Sequence, residues 1–276
     1  MENIIEFTKM HGLGNDYIYI DKTKFSNNIL RERDLPKVAR YLSNRHFGIG
    51  GDGIILVEKS NIADFKMRIF NSDGSEAEMC GNGIRCFGKY VYEKGLIEKE
   101  NINIETLAGI KKVKLIKNND NKIEKIEVNM GIPKIYRKID LKILDKNLKI
   151  IPISMGNPHA VIFVDNIEKI DIDKYGPAIE NNKYFPRKTN VEFVEILDRN
   201  LVKMRVWERG AKETYACGTG ACAAVVAGNV NNLNKKQVKV LLKGGELEIN
   251  WNEETKEIYM TGIATKVFEG KIRLEI

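Results

Sequence analysis

Two short stretches of the sequence carry residues that could perform acid–base chemistry. Cys80 opens a Cys-Gly-Asn-Gly stretch and Cys217 opens a Cys-Gly-Thr-Gly stretch, and each leads into an apolar, helix-like segment. A cysteine at a helix N-terminus is expected to have a pKa below its free value of about 8.5. The glycines allow backbone N–H groups to approach an anion such as a carboxylate. Each stretch therefore combines a candidate proton carrier with a candidate carboxylate site.

A pair of such thiols on opposite faces of one α-carbon could invert that centre. One cysteine, as the thiolate, would remove the α-proton, and the other, as the thiol, would return a proton to the opposite face. Donors aimed at the carboxylate would stabilise the enolate-like charge that develops. The sequence shows neither a nucleotide-binding fingerprint nor an obvious pyridoxal-phosphate lysine context. We expect no cofactor and no metal site.

The cysteines also allow interpretations without catalysis. Cys86 and Cys222 fall inside the helical segments and are expected to be small buried hydrophobic residues. A zinc site is a weaker alternative, because the spacings from Cys80 to Cys86 and from Cys217 to Cys222 differ from those of zinc knuckles. A non-enzymatic thiol or zinc protein stays open as a rival, and zinc held by all four cysteines would exclude the acid–base pair.

The two cysteine stretches belong to an internal duplication. When Cys80 is aligned with Cys217, residues 53–83 align with residues 190–220 without a gap, and nine of the 31 pairs are identical. The identities include both cysteines and two glycines after each of them. One α/β unit used twice explains this pattern. We expect the two cysteines to meet in a cleft between two lobes, where a disulfide joining them would be an inactivating oxidation product.

The segments around the cysteines have the patterns of strands and helices that would position them. A strand predicted from Ile4 is interrupted by a glycine-rich turn before Asn15, and a similar Gly-Asn turn at Asn157 precedes another strand. Residues 34–42 are predicted to form an amphipathic helix that Asp34 caps.

The whole-chain composition limits the class of protein. At 276 residues and 43% hydrophobic, the chain suits two domains of about 130 residues each. No apolar run approaches the roughly 18 residues of a membrane span, and the N-terminus does not resemble a signal peptide. The net charge is +7, but the lysines are dispersed, without an aromatic-interleaved basic stripe. We therefore expect a cytoplasmic protein that binds neither membranes nor nucleic acid.

Six motifs occur together along the chain: Met10–Asp16, Asn71–Ser75, Met79–Cys86, Met155–His159, Trp207–Gly210 and Ala216–Cys222. In this order they resemble the diaminopimelate epimerase family, and the resemblance extends to the segment Phe268–Gly270. It implies cofactor-independent interconversion of LL- and meso-2,6-diaminopimelate, in the biosynthesis of lysine and of peptidoglycan precursors. It also implies a homodimer.

The same resemblance implies an α/β (α+β) fold of two pseudo-duplicated lobes, each a mixed or antiparallel sheet wrapped around a central helix. The N-terminal lobe, which carries Cys80, is expected to comprise residues 1–118 plus 264–276. The C-terminal lobe, which carries Cys217, is expected to comprise residues 119–263.

Roles for individual residues also follow from the resemblance. Cys80 and Cys217 would be the acid/base pair, and His159 and Glu208 would support proton transfer. Taken alone, His159 is more typical of a structural histidine. Carboxamides, one acid and one arginine suit a ligand with an ammonium and a carboxylate at each end. The residues that would hold the substrate are Asn15, Asn71, Gly81, Asn82, Asn157, Asn190, Glu208, Arg209, Gly218 and Thr219.

Three positions depart from the family pattern. Gly53 stands where many members have a glutamine that touches substrate, Ala160 replaces a common cysteine, and Ile263 replaces a common proline. The nearest rival is a proline or hydroxyproline racemase of the same fold. Asn82, where that group typically has histidine, and the Glu208-Arg209 pair argue against it.

Overall fold

The computed structural model describes residues 4–24 and 30–274. Contacts divide the chain into two compact units: Met1–Val128 with Ile263–Ile276, which we call unit 1, and Asn129–Gly262, which we call unit 2. The lobe boundaries expected from the sequence stay a prediction. Residues 1–3, 25–29 and 275–276 of the predicted N-terminal lobe lie outside the described residues.

The described residues form nineteen strands and four α-helices. The strands before the middle of the chain are β1 (Ile4–Gly12), β2 (Asn15–Asp21), β3 (Gly53–Glu58), β4 (Phe65–Asn71), β5 (Glu76–Ala77), β6 (Asn101–Thr106), β7 (Gly109–Lys117), β8 (Ile123–Gly131) and β9 (Lys134–Ile135). The later strands are β10 (Ile139–Ile143), β11 (Lys146–Ser154), β12 (Pro158–Phe163), β13 (Asn190–Asp198), β14 (Leu201–Glu208), β15 (Lys212–Thr214), β16 (Gln237–Leu242), β17 (Gly245–Trp251), β18 (Ile258–Gly262) and β19 (Thr265–Arg273).

The helices are α1 (Leu35–Ser43), α2 (Gly81–Glu93), α3 (Ile172–Glu180) and α4 (Gly218–Val230). The helix predicted at residues 34–42 is therefore confirmed as α1, although the Asp34 side chain makes no capping hydrogen bond. Short 3-10 turns occur at Lys22–Lys24, Glu32–Asp34 and Ile167–Lys169. Within residues 4–24 and 30–274, no helix has the length and apolar composition needed to cross a bilayer.

In unit 1 the strands surround α2. Strand β2 runs parallel to β3, with Tyr17 opposite Gly53, and β1 lies antiparallel to both β2 and β19. The pairing continues with β3–β4 antiparallel, β4–β6 parallel, and β6–β7 and β7–β8 antiparallel. Helix α2 packs on β1, β2, β3 and β7. Helix α1 covers the sheet with an apolar cluster that includes Leu35, Val38 and Leu42.

Unit 2 repeats this arrangement around α4. Strand β12 runs parallel to β13, with His159 opposite Asn190, and β11 lies antiparallel to β12. The pairs β13–β14, β16–β17 and β17–β18 are antiparallel, and β14–β16 is parallel. Helix α4 consists mostly of Gly, Ala and Val and is almost wholly buried, because small side chains allow the surrounding strands to pack closely.

The duplication predicted from the sequence is present in the structure. Helices α2 and α4 begin and end at equivalent positions of the two copies, and so do α1 and α3. Two of the identical pairs form the same contact in each unit: the guanidinium Nε of Arg68 binds Glu76 at 2.7 Å, and that of Arg205 binds Glu213 at 2.7 Å. The predicted fold of two duplicated α/β lobes, each with a sheet around a central helix, is confirmed.

Candidate active site

Cys80 is the N-cap residue of α2, as the sequence predicts. Its backbone is extended, and its Sγ accepts the backbone N–H of Gly83 at 3.3 Å. The thiol in turn donates to the side-chain carbonyl of Asn15 at 3.2 Å, while the Asn15 amide donates to Asp52 at 2.7 Å. Asp52 therefore fixes the orientation in which Asn15 presents its carbonyl oxygen to the thiol. Cys80 is partly exposed.

The first turn of α2 places two more of the predicted unit 1 ligands, Gly81 and Asn82, beside Cys80. Asn82 is buried, and its side-chain carbonyl accepts from the guanidinium of Arg85 at 2.9 Å. Arg85 has no exposed surface and also donates to the Gly81 carbonyl at 3.2 Å. Arg85 thus holds the conformation of this turn through its contacts with Gly81 and Asn82. We call Asn15, Cys80, Gly81 and Asn82 the Cys80 cluster.

Asn71 lies at the end of β4, opposite Gly53 of β3. Its amide donates to the Ser75 hydroxyl at 3.1 Å, within the turn that follows the strand. This contact does not join it to the Cys80 cluster.

Position 53 has no room for a side chain. A Cβ atom there would lie 2.2 Å from the carbonyl oxygen of Phe70 and 2.9 Å from the Cε1 atom of Tyr17. Tyr17 is buried, and its hydroxyl lies beside Cys80 and Asn15; burial raises the pKa of this phenol well above its usual value. The backbone of the neighbouring strand β4, together with the ring of Tyr17, therefore leaves room only for glycine at this position.

Cys217 is the N-cap residue of α4 and is only 5% exposed. Its Sγ lies 3.5 Å from the Thr219 hydroxyl. Burial raises the pKa of Cys217 well above its usual value, and the carboxylates of Glu208 and Glu192 raise it further. The expectation of a lowered thiol pKa is therefore wrong for Cys217, because desolvation by the surrounding side chains outweighs the donors of the helix N-terminus.

His159 lies on β12 and is buried beside a second carboxylate. Its Nδ1 is 2.6 Å from Oε1 of Glu192, and its Nε2 is 3.0 Å from the side-chain carbonyl of Asn157. The amide of Asn157 donates to the Thr219 hydroxyl at 3.3 Å. A continuous series of polar contacts therefore runs from Glu192 to Cys217.

Glu208, at the end of β14, accepts a hydrogen bond from the Thr214 hydroxyl at 2.5 Å, and its carboxylate lies near Cys217. Burial raises the pKa of Glu208 above its usual value, and the Thr214 hydroxyl and Cys217 only partly offset this rise. We call Asn157, His159, Glu208, Cys217 and Thr219 the Cys217 cluster.

Asn190 connects the remaining predicted residues of unit 2. Its carbonyl accepts the backbone N–H of Arg209 at 2.9 Å, and its amide donates to the Pro158 carbonyl at 3.0 Å. Arg209 is exposed, and its guanidinium donates to the Arg187 carbonyl at 3.2 Å. Asn190 thus ties the turn at Arg209 to the strand that carries His159. Gly218 opens α4 directly after Cys217.

Glu192 was missed by sequence reasoning. The signal was present, since Glu192 is a charged residue in the apolar run of β13 and matches Ile55 in the other copy of the repeat. The four cysteines all lie within the described residues and form no disulfide, and Cys86 and Cys222 are buried as predicted. Across the two described stretches, no group of three or more His, Cys, Asp or Glu residues is arranged as a metal site.

Comparison with known families identifies the family of the chain. The profile of the family described as diaminopimelate epimerase matches residues 7–136 and 151–267. The chain belongs to the diaminopimelate epimerase family. It is therefore an isomerase.

Relatives within the diaminopimelate epimerase family match over nearly the whole chain. A protein of Methanococcus maripaludis named diaminopimelate epimerase is 50% identical, covering 97% of this chain and 99% of its own length. A protein of the same name from Acetivibrio thermocellus is also 50% identical, with 98% of this chain and 99% of its own length covered.

Solved structures outside the diaminopimelate epimerase family share its fold. A phenazine biosynthesis protein of the PhzF family from Bacillus anthracis superposes with a TM-score of 0.74 at 19% identity, covering 98% of this chain and 99% of its own. A hydroxyproline epimerase from Agrobacterium vitis gives a TM-score of 0.69 at 13% identity, covering 100% and 95%. At these identities the likeness shows the fold alone.

Proposed function

We propose that the protein interconverts LL- and meso-2,6-diaminopimelate without a cofactor, using Cys80 and Cys217 as two acid/base groups. The observation that carries the proposal is the repeated thiol: each unit has a cysteine at the N-cap of its central helix, followed by a turn with glycines. An acid/base step from either face of an α-carbon needs one such group for each face.

The two thiols would act in opposite protonation states. Burial and two carboxylates raise the pKa of Cys217, so this residue is suited to stay protonated and to donate a proton to the α-carbon. Cys80, partly exposed and accepting the Gly83 N–H, is suited to remove the α-proton as the thiolate. The reverse direction exchanges the roles. The N–H groups that begin α2 and α4 would bind the carboxylate and stabilise the enolate-like charge.

The surrounding polar residues match the two ends of the substrate. Carboxamides can bind both ammonium and carboxylate groups, and an arginine fork suits a carboxylate. A ligand without the second amino-acid end would leave buried polar groups unpaired, which disfavours simple amino acids. In this proposal, His159 and Glu208 support proton transfer, and the substrate is held by Asn15, Asn71, Gly81, Asn82, Asn157, Asn190, Glu208, Arg209, Gly218 and Thr219.

The wider context follows from the proposed reaction. The product would serve lysine and peptidoglycan precursor biosynthesis, in the cytoplasm, and the enzyme would act as a homodimer with two domains, residues 1–118 plus 264–276 and residues 119–263. No nucleic acid or membrane partner is part of this proposal.

Incubation with LL-diaminopimelate in deuterated water tests the reaction. We expect inversion with deuterium incorporated at the α-carbon, and a loss of at least about 100-fold in Cys80→Ala and in Cys217→Ala, because each removes one general acid/base. Cys86→Ala and Cys222→Ala are matched controls and should stay within threefold of the parent. Full activity in Cys80→Ala or Cys217→Ala would exclude the two-base assignment, and inversion of L-proline in place of diaminopimelate would favour the racemase rival.

A further inference from the structure

Glu192 is an acidic residue in the buried part of β13 that the proposed reaction does not use. Neither its side chain nor that of His159 has exposed surface. One carboxylate oxygen lies 2.6 Å from Nδ1 of His159, and the other has no hydrogen-bond partner among the residues that the structure describes. Burying a carboxyl group with one oxygen unpaired costs free energy. A carboxyl group buried at this cost indicates a role other than packing.

The other copy of the repeat shows that packing does not require a carboxylate here. The matching residue in unit 1 is Ile55, which is fully buried. Both side chains lie under the first turn of the central helix: a Cβ atom at Gly83 would be 2.8 Å from Cδ1 of Ile55, and one at Gly220 would be 2.8 Å from Oε1 of Glu192. The same space in the same fold is filled by an apolar side chain in one unit and by an acid in the other.

The hydrogen-bond geometry fixes what the acid does to His159. The carbonyl oxygen of Asn157, which can only accept, lies 3.0 Å from Nε2, so a hydrogen bond between them requires a proton on Nε2. The contact between Nδ1 and Glu192 must hold a second proton, because two lone pairs cannot face each other at 2.6 Å. Glu192 thereby keeps the imidazole oriented as a donor toward Asn157.

We propose that Glu192 is a positioning residue of the Cys217 cluster: it holds the ring of His159 and, through that ring, aligns Asn157 and Thr219 beside Cys217. The inference rests on the proposed function for its catalytic meaning. It adds to the site a residue that neither binds the substrate nor transfers the proton.

The electrostatic surroundings of Cys217 agree with this role. The carboxylates facing the thiol are Glu208, from β14, and Glu192, from β13, and His159 in turn faces Glu208. After burial, these carboxylates raise the pKa of Cys217. Removing the charge at residue 192 is therefore expected to ease ionisation of Cys217, so that it keeps its proton over a narrower pH range.

The first test uses the unsubstituted protein and needs no substrate. With ¹⁵N-labelled histidine, the chain gives signals from three histidines. Spectra of His46→Gln and His159→Asn assign these signals. We expect a proton on Nε2 of His159 and a second, shared proton at Nδ1 at pH 7. A bare Nε2 would overturn the proposal, whatever the enzyme's substrate proves to be.

The second test measures turnover in Glu192→Gln, which keeps the shape and removes the charge, and in Glu192→Ile, which copies unit 1. We expect kcat to fall at least about tenfold in both, because misplacing groups around the reacting carbon is costly. The basic limb of the kcat–pH profile should move to lower pH in both. Glu195→Gln is the matched control on the same strand, since Glu195 binds the Ile167 N–H at 2.9 Å, and should stay within twofold.

One outcome separates positioning from a structural role, and another separates this proposal from the proposed function. If Glu192→Gln and Glu192→Ile unfold at lower temperature but keep the parent kcat and pH profile, Glu192 is structural only and the proposal is wrong. If the parent fails to turn over diaminopimelate while the ring-proton pattern is as expected, the proposed function fails and the hydrogen-bond assignment stands.

Discussion

The Cys80 and Cys217 clusters stand on the same scaffold and give their thiols different surroundings. Each cysteine caps a central helix, and each is followed by an asparagine or threonine in the first turn. Near Cys80 the neighbours are the Asn15 carbonyl, which Asp52 orients, and the Tyr17 hydroxyl. Near Cys217 they are carboxylates, Glu208 and Glu192. The helix start supplies the common geometry, and the neighbouring strands supply the different surroundings.

Tyr17 and His159 occupy matching places in this comparison. Each follows an asparagine by two residues, and each lies on the strand parallel to the next, opposite Gly53 and Asn190 respectively. Gly53 and Asn190 are themselves equivalent positions of the repeat. A phenol contacts Cys80 directly, whereas an imidazole reaches Cys217 through Asn157 and Thr219. The two copies of the repeat therefore place different side chains around thiols that occupy equivalent positions.

The largest effect is expected when the buried acid of unit 2 is introduced at the equivalent position of unit 1. Ile55→Glu would bury a carboxyl group with no histidine opposite it, and we expect the free energy of unfolding to fall by about 3 kcal/mol. Urea denaturation measures this. Ile55→Val is the control, with an expected loss of about 1 kcal/mol from one missing methylene. A loss in Ile55→Glu no larger than in Ile55→Val would mean that unit 1 can solvate the acid, and the contrast between the units would lose its basis.

Rates of thiol alkylation compare the reactivity of Cys80 and Cys217 directly. The thiolate is the reactive form, so a raised pKa slows the reaction at pH 8. Burial raises the pKa of Cys86 to about 11, and that of Cys217 lies well above its usual value, so both should be mostly protonated at this pH. We expect iodoacetamide to modify partly exposed Cys80 at least about tenfold faster than Cys217 or Cys86. A time course by peptide mass spectrometry resolves the sites; equal rates for Cys80 and Cys217 would contradict the assigned acid and base.

The scaffold was readable from the sequence, because the glycine turns after Cys80 and Cys217 are local signals and the constant offset between the two copies is a periodic one. The surroundings of the two thiols could not be predicted from the sequence. The pKa of Cys217 depends on burial by side chains distant in sequence, and Glu192 resembles an outward-facing strand residue until its partner His159 is known. Gly53 was visible as a departure, but its reason is the close approach of the Phe70 carbonyl and the ring of Tyr17 from the two neighbouring strands.

A smaller effect is expected when the phenol beside Cys80 is removed. Tyr17→Phe keeps the ring that fills the space at Gly53 and deletes the hydroxyl that contacts the thiol. Because the pKa of Tyr17 is raised, the hydroxyl stays protonated and can donate to a thiolate, so its loss should disfavour the thiolate of Cys80. We expect kcat to fall about threefold, the size of one net hydrogen bond of roughly 0.7 kcal/mol.

The direction of the pH shift distinguishes this effect from a general loss of activity. Without the donor, the acidic limb of the kcat–pH profile should move to higher pH in Tyr17→Phe, opposite in sign and limb to the shift expected for Glu192→Gln. Tyr175→Phe removes a hydroxyl that binds Asp145 at 2.9 Å in unit 2 and serves as the matched control, with no shift expected. If Tyr17→Phe moved the same limb in the same direction as Glu192→Gln, the two thiols would not be tuned separately. Their different surroundings could then not be the source of the roles proposed for them.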